Sequence, residues 1–319
     1  MSHRGWALAA LAWFAGVGLW WAGYFTEREA VAEARAAEAK RWRQQVQAIQ
    51  AVAPANLPAP ALDGEALLAD VRALAFERHG VADRKRARRL IAHRLQALGY
   101  RPELLSSAGG VQVVAERPGS DPQAGTLLVG AHFDTVAGSP GANDNATGVA
   151  AALALAALYR APTPRGLRLV FFDLEEAGLA GSKAYVQAPE RRQGLVGAVI
   201  LEMLGRRCTT PGCQRQPAGL PPGLGAGDVG DYLAVVGDAG HGGLLAAFRR
   251  AAGPDRPPVV ALPVPDAGGA LPATRRSDHA AFWDVGVGAV MVTDTADLRA
   301  ADRYHTAEDT VESLDAAFF

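Results

Sequence analysis

Residues 126–136 read T-L-L-V-G-A-H-F-D-T-V, a short apolar run that ends on two polar side chains, His132 and Asp134. An apolar run of this length is typical of a buried strand. Parallel α/β sheets bind ligands at the carboxyl ends of their strands, which is where these two side chains fall. A histidine and an aspartate after one strand are more often ordinary loop residues, so the other strand ends decide the matter.

Short apolar runs alternate with helical segments along the rest of the chain. Strands are predicted at residues 126–131, 167–173, 196–201, 232–236 and 288–293, and helices at residues 64–78, 82–98, 146–159 and 242–252. The predicted fold class is α/β, a mostly parallel mixed sheet flanked by helices on both faces.

The N-terminal segment is apolar and uncharged from Trp6 to Tyr24. At 1.5 Å per residue it is about long enough to cross a bilayer core of roughly 30 Å. We therefore expect a transmembrane helix, with aromatic residues at both ends where interfacial aromatics sit. The alternative is a cleaved signal peptide, because residues 30–32, A-V-A, fit a small-x-small cleavage site.

Three regions are predicted: an anchor or uncleaved signal at 1–25, a helical stalk and Pro-rich linker at 26–61, and a catalytic domain at 62–319. The stalk has no helix breaker before Pro54, Pro58 and Pro60. Basic residues after the apolar segment oppose an exported domain. The leader and the cysteine pair favour export, and a membrane-anchored, exported domain is the expectation.

Composition narrows the choice of partners. The formal net charge of -1 gives no basic footprint for nucleic acid.

The two cysteines, Cys208 and Cys213, stand in C-T-T-P-G-C. They form either a small disulfide loop or two unpaired thiols. The oligomeric state is left open.

Carboxylates follow three further elements. Asp144 lies in G-A-N-D-N-A-T-G before a helix, where a helix N-cap is the ordinary interpretation. Glu175 and Glu176 end R-L-V-F-F-D-L-E-E, and can point in different directions, one to a metal and one free as a general base. Glu202 interrupts the apolar strand G-A-V-I-L-E-M-L-G, which is costly unless the carboxylate is paired or metal-bound. Near the C-terminus, A-D-R-Y-H-T-A-E-D-T adds Tyr304 and His305.

These segments together supply two histidines, three metal-type carboxylates and one spare glutamate. Two divalent ions that share a bridging carboxylate need about that set.

The order H-x-D, G-x-x-D-N, E-E, a later E or D, and Y-H-T-x-x-D resembles the co-catalytic di-zinc aminopeptidases of metallopeptidase family twenty-eight, especially bacterial membrane-associated members. The resemblance runs from about Leu62 to the end of the chain. It implies a zinc exopeptidase fold, two zinc ions or other divalent metals, and a peptide or aminoacyl substrate.

The resemblance also implies residue roles. One metal site would comprise His132, Asp144 and Glu202, and the other Asp144, Glu176 and His305. Glu175 would be the general base and Tyr304 would stabilise the oxyanion. Asp134 would orient His132, and a cis peptide would follow Asp144. Glu202 departs from the family, since many relatives have aspartate there.

Further polar residues lie close to these motifs. Asp278 and His279 are expected to support the ligands or the structure rather than to bind metal. Arg275 and Arg276 either hold a substrate carboxylate or are solvated, and solvation is the simpler expectation.

The expected activity is hydrolysis of an N-terminal peptide bond. Two alternatives remain: a single-zinc glutaminyl cyclase on the same fold, and a catalytically silent ectodomain that binds a partner. Retention of Glu175 and of every ligand argues against the silent domain.

Overall fold

The computed structural model describes the backbone of residues 3–107 and 109–319, and the side chains of residues 21, 24, 26–107 and 109–319. It divides into two compact units, residues 1–45 and 46–319. The first consists of helix α1 (His3–Gln50) up to residue 45, and this helix includes residues 26–50 of the region predicted as stalk and linker. The predicted membrane-spanning segment, 6–24, falls almost wholly outside the described side chains. Within the described part of the chain, no helix has both the length and the apolar character needed to cross a bilayer.

The second unit begins at Val46, whereas the catalytic domain was predicted to begin at Leu62. Val46 is buried. The Gln50 side chain donates a hydrogen bond to the Ala261 carbonyl at 2.8 Å. The Ala55 amide donates to the Arg250 carbonyl at 2.8 Å. Residues of the predicted stalk and linker are therefore part of this unit.

Eight strands are found among the described residues of the second unit. They are β1 (Glu103–Ser107), β2 (Gly110–Arg117), β3 (Thr126–His132), β4 (Gly166–Phe172), β5 (Leu195–Glu202), β6 (Leu233–Asp238), β7 (Val259–Val264) and β8 (Ala289–Thr293). They form one sheet in the order β1-β2-β4-β3-β5-β8-β6-β7. The central strands β4, β3, β5 and β8 are parallel to one another. Strands β1, β2 and β6 each make antiparallel pairs, and β7 is parallel to β6.

Helices cover both faces of this sheet, which confirms the predicted α/β class. After α1 they are α2 (Gly64–Leu74), α3 (Val81–Ala97), α4 (Gly148–Leu158), α5 (Ala180–Gln187), α6 (Pro189–Arg192), α7 (Gly242–Ala251), α8 (His279–Trp283) and α9 (Asp297–Ala300). Helices α3, α4 and α7 pack on one face and α5 and α8 on the other.

Alternation along the strands separates the two faces. Val235, Ala261 and Val290 point into the main apolar core beside α7. Their neighbours Val236, Leu262 and Met291 point to the opposite face, which the long connection between β5 and β6 covers. A cavity lies between that connection and the sheet.

Candidate active site

Parallel strands bring the predicted site residues to one edge of the sheet. His132 and Glu202 are the last residues of β3 and β5, and Glu175 and Glu176 follow closely after β4. Because β3, β4 and β5 are parallel neighbours, their carboxyl ends meet. The structure thus places these side chains together.

Asp144 lies between the two histidines. Its Oδ1 is 3.3 Å from His132 Nε2, and its Oδ2 is 3.1 Å from His305 Nε2. Glu202 Oε2 lies 3.4 Å from His132 Nε2, and Glu176 Oε2 lies 3.2 Å from His305 Nε2. The five predicted ligands therefore form two groups that share one carboxylate.

The turn that carries Asp144 is held by Asp309. The Asn143 and Asp144 amides donate to the two Asp309 carboxylate oxygens, each at 3.0 Å. Gly141 precedes this turn with φ of 61°, and a Cβ there would collide with the Asp144 carbonyl oxygen. Asp144 is not a helix N-cap, because α4 begins only at Gly148. The Asp144–Asn145 peptide is cis, as the resemblance implied.

Asn145 ties this turn to the end of β5. Its side-chain nitrogen donates to the Leu201 carbonyl at 2.8 Å, and its side-chain oxygen accepts from the Met203 amide at 3.0 Å. These bonds lie on either side of Glu202. The spacing between Asp144 and Glu202 is thus fixed through the residue that follows Asp144.

Asp134 supports both sides of the site. Its carboxylate accepts from the Glu175 and Glu176 amides at 3.1 and 3.2 Å. His132 Nδ1 is 3.2 Å from the Asp134 carbonyl and 3.5 Å from its carboxylate. Asp134 therefore contacts His132 and also fixes the backbone that carries the adjacent glutamates. Its role in orienting His132 as a ligand stays a prediction.

Ser277 lies just before α8 and contacts Glu202, and Asp278 and His279 follow it in the sequence. Ser277 Oγ donates to Glu202 Oε2 at 2.6 Å. Asp278 is fully buried, which raises its pKa to about 7 against the opposing effect of His132. His279 Nε2 donates to the Thr274 carbonyl at 2.7 Å, and burial lowers the pKa of this imidazole to about 4. His279 thus bonds to the backbone before α8, and its structural role stays a prediction.

Tyr304 lies beside the site, next to His305 in the sequence and in space. Its ring stacks on His305 with centroids 3.7 Å apart. Its hydroxyl accepts a hydrogen bond from Arg276 Nη2 at 3.2 Å. Burial raises the pKa of Tyr304, so the hydroxyl keeps its proton at neutral pH.

Arg78 lies behind the Asp144 turn and was not predicted. It is fully buried, and it has no carboxylate at ion-pair distance among the side chains that the structure describes. Its guanidinium donates instead to the backbone carbonyls of Leu74, Phe76, Phe133, Pro140 and Gly141. It joins the end of α2 to the loop after β3.

The donor set fits divalent metal ions. The ligand atoms of His132, Asp144 and Glu176 lie within 4.8 Å of one another, as do those of His132, Glu175 and Glu202. Burial raises the pKa of Glu175 well above its usual value, partly opposed by His132 and reinforced by nearby carboxylates. Burying several carboxylates so close together costs free energy unless positive charge is added. Oxygen and imidazole ligands at this spacing suit zinc.

A cavity of about 310 Å³ opens beside the cluster. Its floor comprises apolar side chains of β8, β6 and β7, including Met291, Val236 and Leu262. Its other walls include Leu220 and Leu224 from the connection after β5. This connection contains a disulfide between Cys208 and Cys213, which decides the question that the sequence left open.

Sequence reasoning missed several residues that support the site. Asp309 was quoted in the Y-H-T-x-x-D pattern, whose spacing from His305 was the signal for it. Ser277 stood beside a considered residue, Asp278. Arg78 gave no local signal, since three of its five partners are backbone carbonyls of distant segments, at Phe133, Pro140 and Gly141.

Comparison with known proteins gives a family match. Residues 112–319 match the model of Peptidase family M28. The chain is 32% identical over 203 residues to Uncharacterized protein YfbL of Escherichia coli (strain K12), covering 59% of this chain and 61% of that protein. An aminopeptidase of Pseudomonas aeruginosa (strain UCBPP-PA14) is 41% identical over 96 residues, covering 29% of this chain and 18% of that protein. Both matches span less than two thirds of the relative's length.

Solved structures share the fold. The Legionella pneumophila LapA aminopeptidase superposes with a TM-score of 0.63 at 16% identity, covering 86% of this chain and 70% of that chain. Glutaminyl cyclase of Porphyromonas gingivalis gives 0.56 at 17% identity, covering 82% and 94%. At such identities the likeness concerns the fold alone. Because the family match at residues 112–319 covers more than half of this chain, the chain belongs to peptidase family M28.

Proposed function

We propose that this protein is a two-zinc aminopeptidase that hydrolyses the N-terminal peptide bond of its substrate. The observation that carries the proposal is the position of Asp144, whose two carboxylate oxygens face His132 and His305 separately. His132, Asp144 and Glu202 would hold one ion, and Asp144, Glu176 and His305 the other.

When bound, the ions supply Lewis acidity, which polarises the scissile carbonyl and activates water. The Glu175 carboxylate accepts a proton from the attacking water and returns it to the leaving amine. The Tyr304 hydroxyl donates a hydrogen bond to the developing oxyanion. The apolar cavity receives the first side chain of the substrate, which favours bulky apolar residues there.

Metal removal and restoration test the proposal. The full-length chain is assayed with leucyl and alanyl anilides before chelation, after chelation and after titration with zinc, while bound zinc is measured. We expect activity to disappear on chelation and to return fully only near two zinc ions per chain. Full activity at one ion per chain would contradict the two-metal mechanism.

Glutaminyl cyclase is the second candidate, favoured by the fold shared with the Porphyromonas gingivalis enzyme. The same zinc-loaded chain is incubated with peptides that begin with glutamine. Loss of ammonia without peptide cleavage would favour the cyclase, whereas release of free glutamine would favour the aminopeptidase.

We also propose that the catalytic unit functions in an oxidising compartment. The support is the Cys208–Cys213 disulfide, a type of bond that persists mainly outside the cytosol. Alkylation of cells before lysis, followed by mass spectrometry, tests whether both thiols are protected. Free thiols in the native protein would count against it.

A further inference from the structure

Two arginines line the exposed part of the cavity. Arg215 and Arg276 are both solvent-accessible and both border the space beside the metal-ligand cluster. Apart from the metal-ligand cluster, the rest of the cavity lining is mainly apolar. An apolar side chain on the first residue of the substrate would not require a cationic group here. The two guanidiniums therefore need another explanation.

The charge at this position is not neutralised. Arg276 Nη1 lies 2.7 Å from Asp297 Oδ1, and Arg215 Nη2 lies 3.7 Å from Asp297 Oδ2. Across the described residues, Asp297 is the carboxylate at ion-pair distance from these guanidiniums. Two guanidiniums therefore share one carboxylate, which leaves one of these two positive charges without an ion-pair partner of its own.

Arg276 stands next to the position of the reaction. Its Nη2 donates to the Tyr304 hydroxyl at 3.2 Å, and Tyr304 stacks on His305. One residue extends a peptide chain by at most about 3.8 Å. A substrate group one residue beyond the scissile carbonyl therefore comes within reach of the Arg276 guanidinium.

We propose that Arg276 binds the terminal carboxylate of a dipeptide, so that free dipeptides are the preferred substrates of this site. The inference rests on the proposed aminopeptidase function. In a dipeptide the terminal carboxylate lies one residue past the scissile carbonyl, whereas a longer peptide has a neutral amide there. A guanidinium has five N–H donors, and the bonds to Asp297 and Tyr304 leave others for a carboxylate.

The neighbouring Arg275 provides a matched control. It is bonded to Asp284 and to the Ala267 carbonyl, and its guanidinium lies over the Trp283 ring. It does not line the cavity beside the metal-ligand cluster. Its charge is therefore directed away from the bound substrate.

The test compares leucyl-phenylalanine with its C-terminal amide on the full-length, zinc-loaded chain. Loss of a charged hydrogen-bonding partner corresponds to about tenfold or more, so we expect kcat/KM for the free acid to exceed that for the amide by at least this factor. Arg276→Gln brings the ratio close to one, Arg276→Lys keeps part of it, and Arg275→Gln leaves it unchanged. Zinc content and thermal unfolding of each variant show that it is folded.

Two results would overturn the inference. One is equal hydrolysis of acid and amide by the unmodified protein. The other is an Arg276→Gln variant that loses activity on both substrates by the same factor, which would mean that Arg276 acts only through Tyr304. If neither dipeptide is hydrolysed, the proposed function fails instead. Calorimetric binding of acid and amide to zinc-loaded Glu175→Gln then decides the carboxylate question separately.

Discussion

Adjacent glutamates after β4 occupy different positions in the site. Glu176 reaches His305 at 3.2 Å, while an oxygen of Glu175 groups with ligand atoms of His132 and Glu202. Both backbone amides are held by the one Asp134 carboxylate. A single acidic side chain thus holds the backbone of both glutamates, which suits the roles proposed for them, Glu176 as a metal ligand and Glu175 as the proton acceptor.

We expect the same glutamate-to-glutamine substitution to have different effects at the two positions. Glu175→Gln should retain both zinc ions and lower kcat by about 10²–10⁴-fold, because only the proton acceptor is lost. Glu176→Gln should lose zinc affinity, because an amide is a poorer ligand than a carboxylate. Steady-state kinetics and zinc analysis of both variants check this.

The comparison is informative because the two residues are adjacent and glutamine has nearly the same shape as glutamate in each case. If Glu175→Gln loses zinc while Glu176→Gln keeps it, the assigned roles are exchanged. Equal loss of zinc in both variants would mean that Glu175 is a ligand as well.

At the scale of elements, Asp173 joins α3 to the sheet. It follows β4 directly and lies 2.8 Å from Arg84 Nε and 3.2 Å from Arg88 Nη1, both on α3. It also accepts a hydrogen bond from the Val111 amide of β2 at 2.9 Å. Burial raises the pKa of Asp173, and the two arginines oppose that effect.

Asp173→Ala should lower the free energy of unfolding by about 3 kcal/mol, because two arginines and an amide lose their buried partner. Glu116→Ala is the matched control. Glu116 pairs with Arg168 between β2 and β4 at 2.9 Å, but its side chain is 40% exposed. That change should cost less than about 1 kcal/mol. Urea unfolding of both variants measures the difference, and equal losses would contradict a special role for Asp173.

The central elements could be predicted from the sequence and the edge elements could not. Apolar runs identified β3, β4, β5, β6 and β8, since buried strands are nearly continuous in apolar residues. Strand β7 contains Pro263, which is tolerated because this strand lies at the sheet edge. Helix α2 was predicted to extend to residue 78 but ends at Leu74, where the buried Arg78 side chain bonds to the Leu74 carbonyl.

The same limit applies to the site. His132, Glu176, Glu202 and His305 stand beside strands or in a recognisable motif, and the structure brings them together. Their role as ligands stays a prediction. Asn145 stands in the G-x-x-D-N pattern, but the pattern does not reveal its bonds to the distant backbone of Leu201 and Met203. Arg78 stands in no motif, and it bonds to carbonyls as distant as that of Gly141.

At the scale of the molecule, the metal-ligand cluster joins segments from residue 132 to residue 305. Metal that binds the folded chain alone stabilises it by RT ln(1 + [L]/Kd), or about 2.7 kcal/mol at a concentration 100-fold above Kd. Chelation should therefore lower Tm by several degrees, at about 2–4 °C per kcal/mol. Scanning calorimetry with and without chelator measures this shift.

Asp144→Asn supplies the control, since Asp144 faces both histidines. Its Tm should be nearly insensitive to chelator. An equal chelator effect in the unmodified chain and in the variant would place the stabilising metal elsewhere.

Strands β6 and β7 run opposite to β4, β3, β5 and β8. Their carboxyl ends, followed by His241 and Asp266, therefore lie at the edge of the sheet remote from the metal-ligand cluster. The connection after β7 returns to the site at Arg276 and Ser277. The loop around His241 is therefore the place where the chain can be lengthened, or can carry a fluorophore or an immobilisation tag, without disturbing the proposed catalysis.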